Sequence, residues 1–323
     1  MNMENKKINT KILSMFGQAG SIFGMSLPEI MKERVDLMIL TADMSTPAGL
    51  DKFKGLYPDN FVNLGIAEQN MIGVASGLSD EGFKTVSVAQ ACFLSMRDFE
   101  PVRQYCGYMK SAQVLVGISS GFSLAYLGNT HYALEDIALM KQIPGMYVIA
   151  PSDSLEAIKA FESALETDAP VYIRLHGGLN LSVVHKEDIN FRIGQAIELQ
   201  AGKDLQIIAT GSMVSRALAV VGELEANDIS CAVTDMHTIK PLDTKAIRTD
   251  VKMIVTLEEH SILGGLGSSV ADFLCKQTTH PSLLKIGVED RFSQVGGYEY
   301  LMEQNGLSVE RMKSKIQLVY NQL

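Results

Sequence analysis

The first half of the chain carries apolar runs at DLMILTAD, KTVSVAQA, QVLVGISS, MYVIAPSD and PVYIRLHG. They do not alternate apolar with polar residues. Near-continuous Val, Ile and Leu is the pattern of strands covered on both faces. Helical spacing appears between them. Ala67, Met71, Val74 and Leu78 fall on one side of a helix, as do Leu155, Ile158, Ala164 and Leu165. Asp153 stands where an N-cap is expected for the second of these helices. Strands and helices in alternation predict a mostly parallel sheet flanked by helices. From Gly177 to Arg192 the pattern lapses into polar residues, including HKEDINFR. A second series follows with LQIIATG, SCAVTDM, KMIVTLEE and LLKIGV. It ends in a helix with Ser308 as N-cap and Val309, Met312, Ile316 and Val319 as its apolar stripe. The expectation is an α/β protein of two doubly wound domains, 1–176 and 193–323, joined by a linker at 177–192.

Composition narrows the function classes. The 323 residues exceed one ordinary core, which agrees with two domains. A net charge of -9 with no Lys/Arg block argues against nucleic acid. The basic NKKINTK stretch lacks the apolar core of a signal peptide, and no run reaches the length of a membrane span. A cytoplasmic protein is the default expectation. Cys92, Cys106, Cys231 and Cys275 are widely spaced and read as buried free thiols.

One charge stands out. Glu68 lies at the start of the apolar, glycine-spaced run NLGIAEQNMIGVASGL. Gly65 ends the strand-like NFVNL, and the helix is expected from Ile66. A carboxylate in a first helical turn interacts favourably with the helix dipole, which accounts for many such acids. Its surroundings suggest more. In CFLSMRDF, Phe93, Met96 and Phe99 are spaced three apart. That spacing by itself fits ordinary core. His131 in GNTHYALED would by itself read as a surface or helix-start histidine. Arg174 sits at the end of an apolar strand, where open α/β sheets bind ligands.

NLGIAEQNMIGVASGLSDEGFKTV closely resembles the aminopyrimidine-binding segment of transketolases and deoxyxylulose-phosphate synthases. The likeness continues through CFLSMRDFEPVRQ, GNTHYALEDIALMKQIPGMYVIAPSDSLEA and APVYIRLHGG. It resumes at TIKPLD, VTLEEHSILGGLGSSVADFL and IGVEDRF. The chain looks most like the C-terminal subunit of a split transketolase. The resemblance implies a thiamine diphosphate pyrimidine-binding domain followed by a transketolase C-terminal-like α/β domain. It implies that Glu68 is catalytic, hydrogen-bonding a ring nitrogen of the cofactor's aminopyrimidine. Phe93, Met96 and Phe99 would pack near that ring, with Met96 in an aromatic place. His131 would face the reacting centre, and Arg174 would hold a substrate phosphate. His176 stays unassigned. GGLGSS (264–269) reads as a tight strand-helix junction, and His260 as structural or interfacial.

The family's metal and diphosphate motif begins G-D-G, and this sequence has none. No metal ligand is therefore expected here. The resemblance implies that Mg2+ and the diphosphate are held mainly by a complementary N-terminal subunit. This chain would supply a self-associating dimer core within a heterotetramer. Departures fall in ISSGFSLAYLGNTH. Ser119 replaces a family histidine, and Tyr126 and Leu127 replace a Glu-Asp pair, so a non-standard sugar substrate is expected. Two alternatives stay open: a 2-oxoacid-decarboxylating subunit like deoxyxylulose-phosphate synthase or pyruvate dehydrogenase E1-beta, and a non-catalytic partner subunit.

Overall fold

The computed structural model describes residues 9–323, so the start of NKKINTK lies outside them. The strands, in chain order, are β1 (Leu37–Thr41), β2 (Phe61–Asn63), β3 (Lys84–Gln90), β4 (Val114–Ser120), β5 (Tyr147–Ile149) and β6 (Val171–His176). They continue as β7 (Ile197–Gln200), β8 (Leu205–Ala209), β9 (Cys231–Asp235), β10 (Thr238–Lys240), β11 (Met253–Ser261) and β12 (Ser282–Val288). The first sheet runs β10-β5-β6-β4-β3-β1-β2 and the second β12-β11-β8-β9-β7. Both are parallel except at an edge, where β10 pairs antiparallel with β5 and β7 with β9.

The continuous apolar runs follow from double coverage. Successive strand residues point to opposite faces. In the first sheet Ile39, Val86, Val88, Val116 and Ile173 meet Phe23, Leu155 and Phe161 on one face. Leu40, Ala89, Leu115 and Tyr172 meet Met71, Ile72 and Met140 on the other. The helix Ser154–Leu165 is capped by Asp153, whose carboxylate accepts from the Glu156 N–H at 2.9 Å. The final helix Val309–Tyr320 is capped by Ser308 and buries Met312 and Ile316 against the second sheet.

No helix or strand occupies the stretch between β6 and β7 among the described residues. Yet the two halves interlock: β10, from the second half of the chain, closes the edge of the first sheet. Between them lies a buried ionic cluster. His185 of the linker places Nε2 3.3 Å from Asp235 and 3.7 Å from Glu156. Burial opposes its charge, but hydrogen bonding to Asp235 and Glu156 prevails and raises His185 to about 10. His260 is also structural and spans the halves: its Nε2 accepts from the Ala138 N–H at 3.3 Å, and burial lowers it to about 4.

Two expectations are corrected. Cys275 is exposed, because it follows the buried face of the helix Leu266–Leu274, whereas the other three thiols are buried. The helix expected from Ile66 begins at Glu68 instead, with Ala67 as N-cap. Gly65 has φ +73° and Ile66 is 78% exposed, so the chain turns there before entering the helix. At GGLGSS the Glu258 carboxylate accepts from the Leu266 and Gly267 N–H groups at 2.7 and 2.9 Å. That helix N-terminus is thus filled by a side chain of the protein itself.

Candidate active site

The turn at Gly65 delivers Glu68 to the first position of the helix Glu68–Asp80, where the side chain is only 4% exposed. A buried carboxylate needs partners. Glu68 finds one that sequence reasoning missed: Arg97 Nη1 lies 3.0 and 2.9 Å from its two oxygens. The Arg97 side chain is 45% exposed and covers the Phe93 ring, with its guanidinium carbon 4.2 Å from the centroid. Phe93 in turn meets the His131 ring edge-on at 5.3 Å. Glu68, Arg97, Phe93 and His131 therefore form one continuous group. The signal for Arg97 was present in SMRD, a basic residue one position after Met96, but the regular three-residue spacing drew attention past it.

Residues Phe93–Arg97 form a π-helical turn after β3, a feature common at functional sites. The wide turn leaves Met96 39% exposed beside Arg97. Phe99 does not join the group. It packs with Leu94, Val102 and Cys106 in the apolar layer behind. Asp98 is fully buried with neither oxygen hydrogen-bonded. Burial first, and the nearby Glu68 charge second, push it up to about 8.

The other expected residues sit at the end of β4, for Ser119, and on the loop that follows it, for Tyr126, Leu127 and His131. Ser119 has φ +57° and lies beside Gly177. Tyr126 and Leu127, on a short 3-10 turn, are 79% and 54% exposed. His131 is held by its N–H to the Gly128 carbonyl at 2.9 Å, and its Nδ1 is 2.9 Å from the Thr130 hydroxyl.

Arg174 departs from expectation. It is 4% exposed. Its Nε bonds both Asp136 oxygens at 3.1 and 2.8 Å, and its Nη2 donates to the carbonyls of Ala133 and Glu259 at 3.0 and 2.8 Å. Through Nε and Nη2 the guanidinium thus ties β6 to Asp136 and to the backbone of the second half of the chain.

The residues fit the pyrimidine end of a bound heterocycle. A buried carboxylate and an aromatic ring meet where a half-exposed arginine forms the outer cover. They do not fit a metal-diphosphate group. Among the described residues the group with metal-ligand proximity is Glu156, His185 and Asp235. It belongs to the domain junction. None of its three members contacts Glu68 or Arg97.

Residues 18–180 match the family described as "Transketolase, pyrimidine binding domain", and residues 194–312 match "Transketolase, C-terminal domain". A Methanocaldococcus jannaschii protein provisionally named a transketolase C-terminal section is 36% identical over 91% of this chain and 93% of its own length. The 6-deoxy-6-sulfo-D-fructose transketolase subunit SqwH of a Clostridium species is 36% identical over 85% of this chain and 86% of its own length. Among solved structures, a split-gene transketolase described as an inactive beta4 tetramer superposes with TM-score 0.83 at 34% identity. That match covers 94% of this chain and 98% of the other. Both domains are matched in order and nearly end to end by separate subunits, so this chain belongs to the transketolase family.

Proposed function

We propose that this chain is the C-terminal subunit of a two-subunit, thiamine diphosphate-dependent transketolase that transfers a two-carbon ketol unit between sugars. The observation that carries this reading is the buried Glu68 carboxylate at a helix start, joined through Arg97 to Phe93 and His131. When bound, thiamine diphosphate supplies the nucleophilic carbon for ketose cleavage and transfer. Glu68 would hold a proton at a ring nitrogen of the aminopyrimidine. Arg97 would give up one or both carboxylate oxygens and remain a solvated cover over the site. Phe93 offers a face for stacking and Met96 an adaptable thioether. His131 would donate to a substrate oxygen. The diphosphate and its Mg2+ need oxygen ligands that do not surround Glu68, so a complementary subunit bearing the G-D-G motif would supply them. The assembly would be a heterotetramer around a dimer of this chain.

The test is reconstitution. This chain alone should bind thiamine diphosphate poorly and show no ketol transfer; activity should appear on mixing with the complementary subunit. Tight magnesium-dependent binding by this chain alone, measured calorimetrically, would refute the division of labour. Carbon dioxide release from pyruvate without ketol transfer would refute the reaction class.

The substrate would be a non-standard sugar. Ser119 is small, Tyr126 and Leu127 present a phenol ring and an aliphatic side chain at the surface, and Arg174 is buried. A site without the family's histidine and acidic pair loses the preference those groups give but not its cofactor chemistry. On a donor panel, the reconstituted enzyme should favour a differently substituted ketose over xylulose 5-phosphate by about tenfold or more in kcat/KM. Equal or higher specificity constants for ordinary pentose and hexose phosphates would defeat this.

A further inference from the structure

The loop after β4 belongs by sequence to the first domain, yet the second domain holds it. Phe122, Ala125, Tyr132 and Leu134 pack into the apolar cluster of the second sheet. Phe122 and Tyr132 meet edge-to-face at 5.0 Å. The neck of the loop is closed by paired backbone bonds between Gly121 and Ala133 at 3.0 and 3.2 Å. Near its far end, Asn129 exchanges bonds with the Ser293 backbone at 2.7 and 3.2 Å. With the inner side so occupied, Tyr126 and Leu127 are left facing outward.

At the start of the loop one side chain crosses between domains. Glu259, on β11, is 1% exposed. Its Oε1 accepts from the Phe122 N–H at 2.7 Å. Its Oε2 accepts from the Tyr298 hydroxyl at 2.7 Å and from the Ser212 hydroxyl. Gly121 makes this approach possible. Its φ is +61°, and a Cβ there would lie 2.3 Å from Glu259 Oε1. Ser119, two residues earlier, also has positive φ, at +57°. A serine held in the left-handed region needs its surroundings to fix it. The buried Phe122 N–H, for its part, needs an acceptor.

We infer that Glu259 is a positioning residue for substrate recognition: the second domain, through this carboxylate, sets the backbone where β4, which carries Ser119, passes into the loop that presents Tyr126 and Leu127. The inference rests on the proposed function for the identity of the loop's ligand. Glu259 touches no reacting atom. What it fixes is where the start of the loop stands; His131 at the far end has its own supports in the Phe93 ring and the Gly128 carbonyl, so the effect falls on substrate binding.

Two substitutions separate reach from charge. Glu259→Asp keeps the charge but is one methylene too short to meet the Phe122 N–H. Glu259→Gln keeps the length and an acceptor oxygen, while the Ser212 and Tyr298 hydroxyls can turn to accept from its amide. In the reconstituted complex Glu259→Asp should raise the ketose KM by about tenfold, with kcat and cofactor affinity within about threefold of wild type. Glu259→Gln should stay within about threefold throughout. In the chain alone, amide hydrogen exchange across residues 120–133 should accelerate in the Asp variant and not in the Gln variant. The inference is overturned if the Asp variant matches wild type in KM and loop exchange. It is equally overturned if the Gln variant is the impaired one, which would make the charge the essential feature. If the wild-type complex shows no ketol transfer, the functional reading falls, and the exchange experiment still decides whether Glu259 positions the loop.

Discussion

Replacing Glu68 by Gln should lower turnover of the reconstituted complex by a factor of order 10²–10⁴ while leaving the fold intact, the size of effect expected when an acid/base group is lost. The two parts of this expectation have different physical sources. Gln fills the same space at the start of the helix Glu68–Asp80, so packing is kept. It cannot hold and return a proton at a ring nitrogen, so that function is lost. The substitution also removes the ion pair with Arg97. The Arg97 side chain is 45% exposed and stays solvated when its partner goes. The group removed is a buried charge, so the lost pairing is offset by the desolvation it no longer carries, and the melting midpoint should barely move. Turnover and thermal midpoint measured on the same preparation check both parts. Near-normal turnover in the Gln variant would mean that Glu68 is only a helix-start acid and the anchor of Arg97.

The fold was legible because both sheets are covered on both faces. Runs such as DLMILT and QVLVGIS are apolar at every position, and the structure buries alternate residues in opposite layers. Helix starts were legible where a capping side chain marks them, as at Asp153 and Ser308. The start at Glu68 was placed two residues early because no side chain caps it; a positive-φ glycine and an exposed Ile66 make the turn instead. Domain interlocking was not legible at all. The short β10 inside CAVTDMHTIK reads as a continuation of β9, and only its antiparallel pairing with β5 assigns it to the other sheet.

The site was legible in part, for a similar reason. Glu68 and Phe93 lie in segments whose local pattern is unusual, and they do converge. Arg97 was missed because its partner carboxylate, Glu68, is 29 residues away in sequence and its neighbours suggested an aromatic spacing. Phe99 obeyed that spacing but lies past a π-helical turn, which shifts the phase and turns its ring toward the apolar layer. The interior contacts of Arg174 were not legible either. A strand-end arginine is a good anion ligand only if its donors are free, and the residues that engage them come from elsewhere in the chain. Asp136 lies 38 positions away and the Glu259 carbonyl 85. Periodicity describes one element at a time, and these are contacts between elements.

Replacing Arg174 by Met should cost about 3–5 kcal/mol of stability, because breaking a buried pair leaves its partner charge uncompensated. Met fills much of the same volume, so the loss is chiefly electrostatic. Asp136 is fully buried and would keep only the Tyr172 hydroxyl, at 2.8 Å. The freed carbonyls of Ala133 and Glu259 add to the cost, since each loses a charged donor. For a chain of this size the thermal midpoint should fall by roughly 10 °C. Adding Asp136→Asn removes the stranded charge, and the double variant should regain about 1–2 kcal/mol over the single one, the coupling expected of residues in direct contact. Below the lowered midpoint, the folded Met variant should retain its ratio of KM values for phosphorylated and unphosphorylated donors within about threefold. A substrate-phosphate arginine would behave in the reverse way: little change in stability, no recovery from Asp136→Asn, and a KM increase confined to phosphorylated donors. Those results would return Arg174 to the substrate site. The predicted ones keep it in the interior, where it joins β6 to Asp136 of the first domain and to the backbone of the strand that carries Glu259.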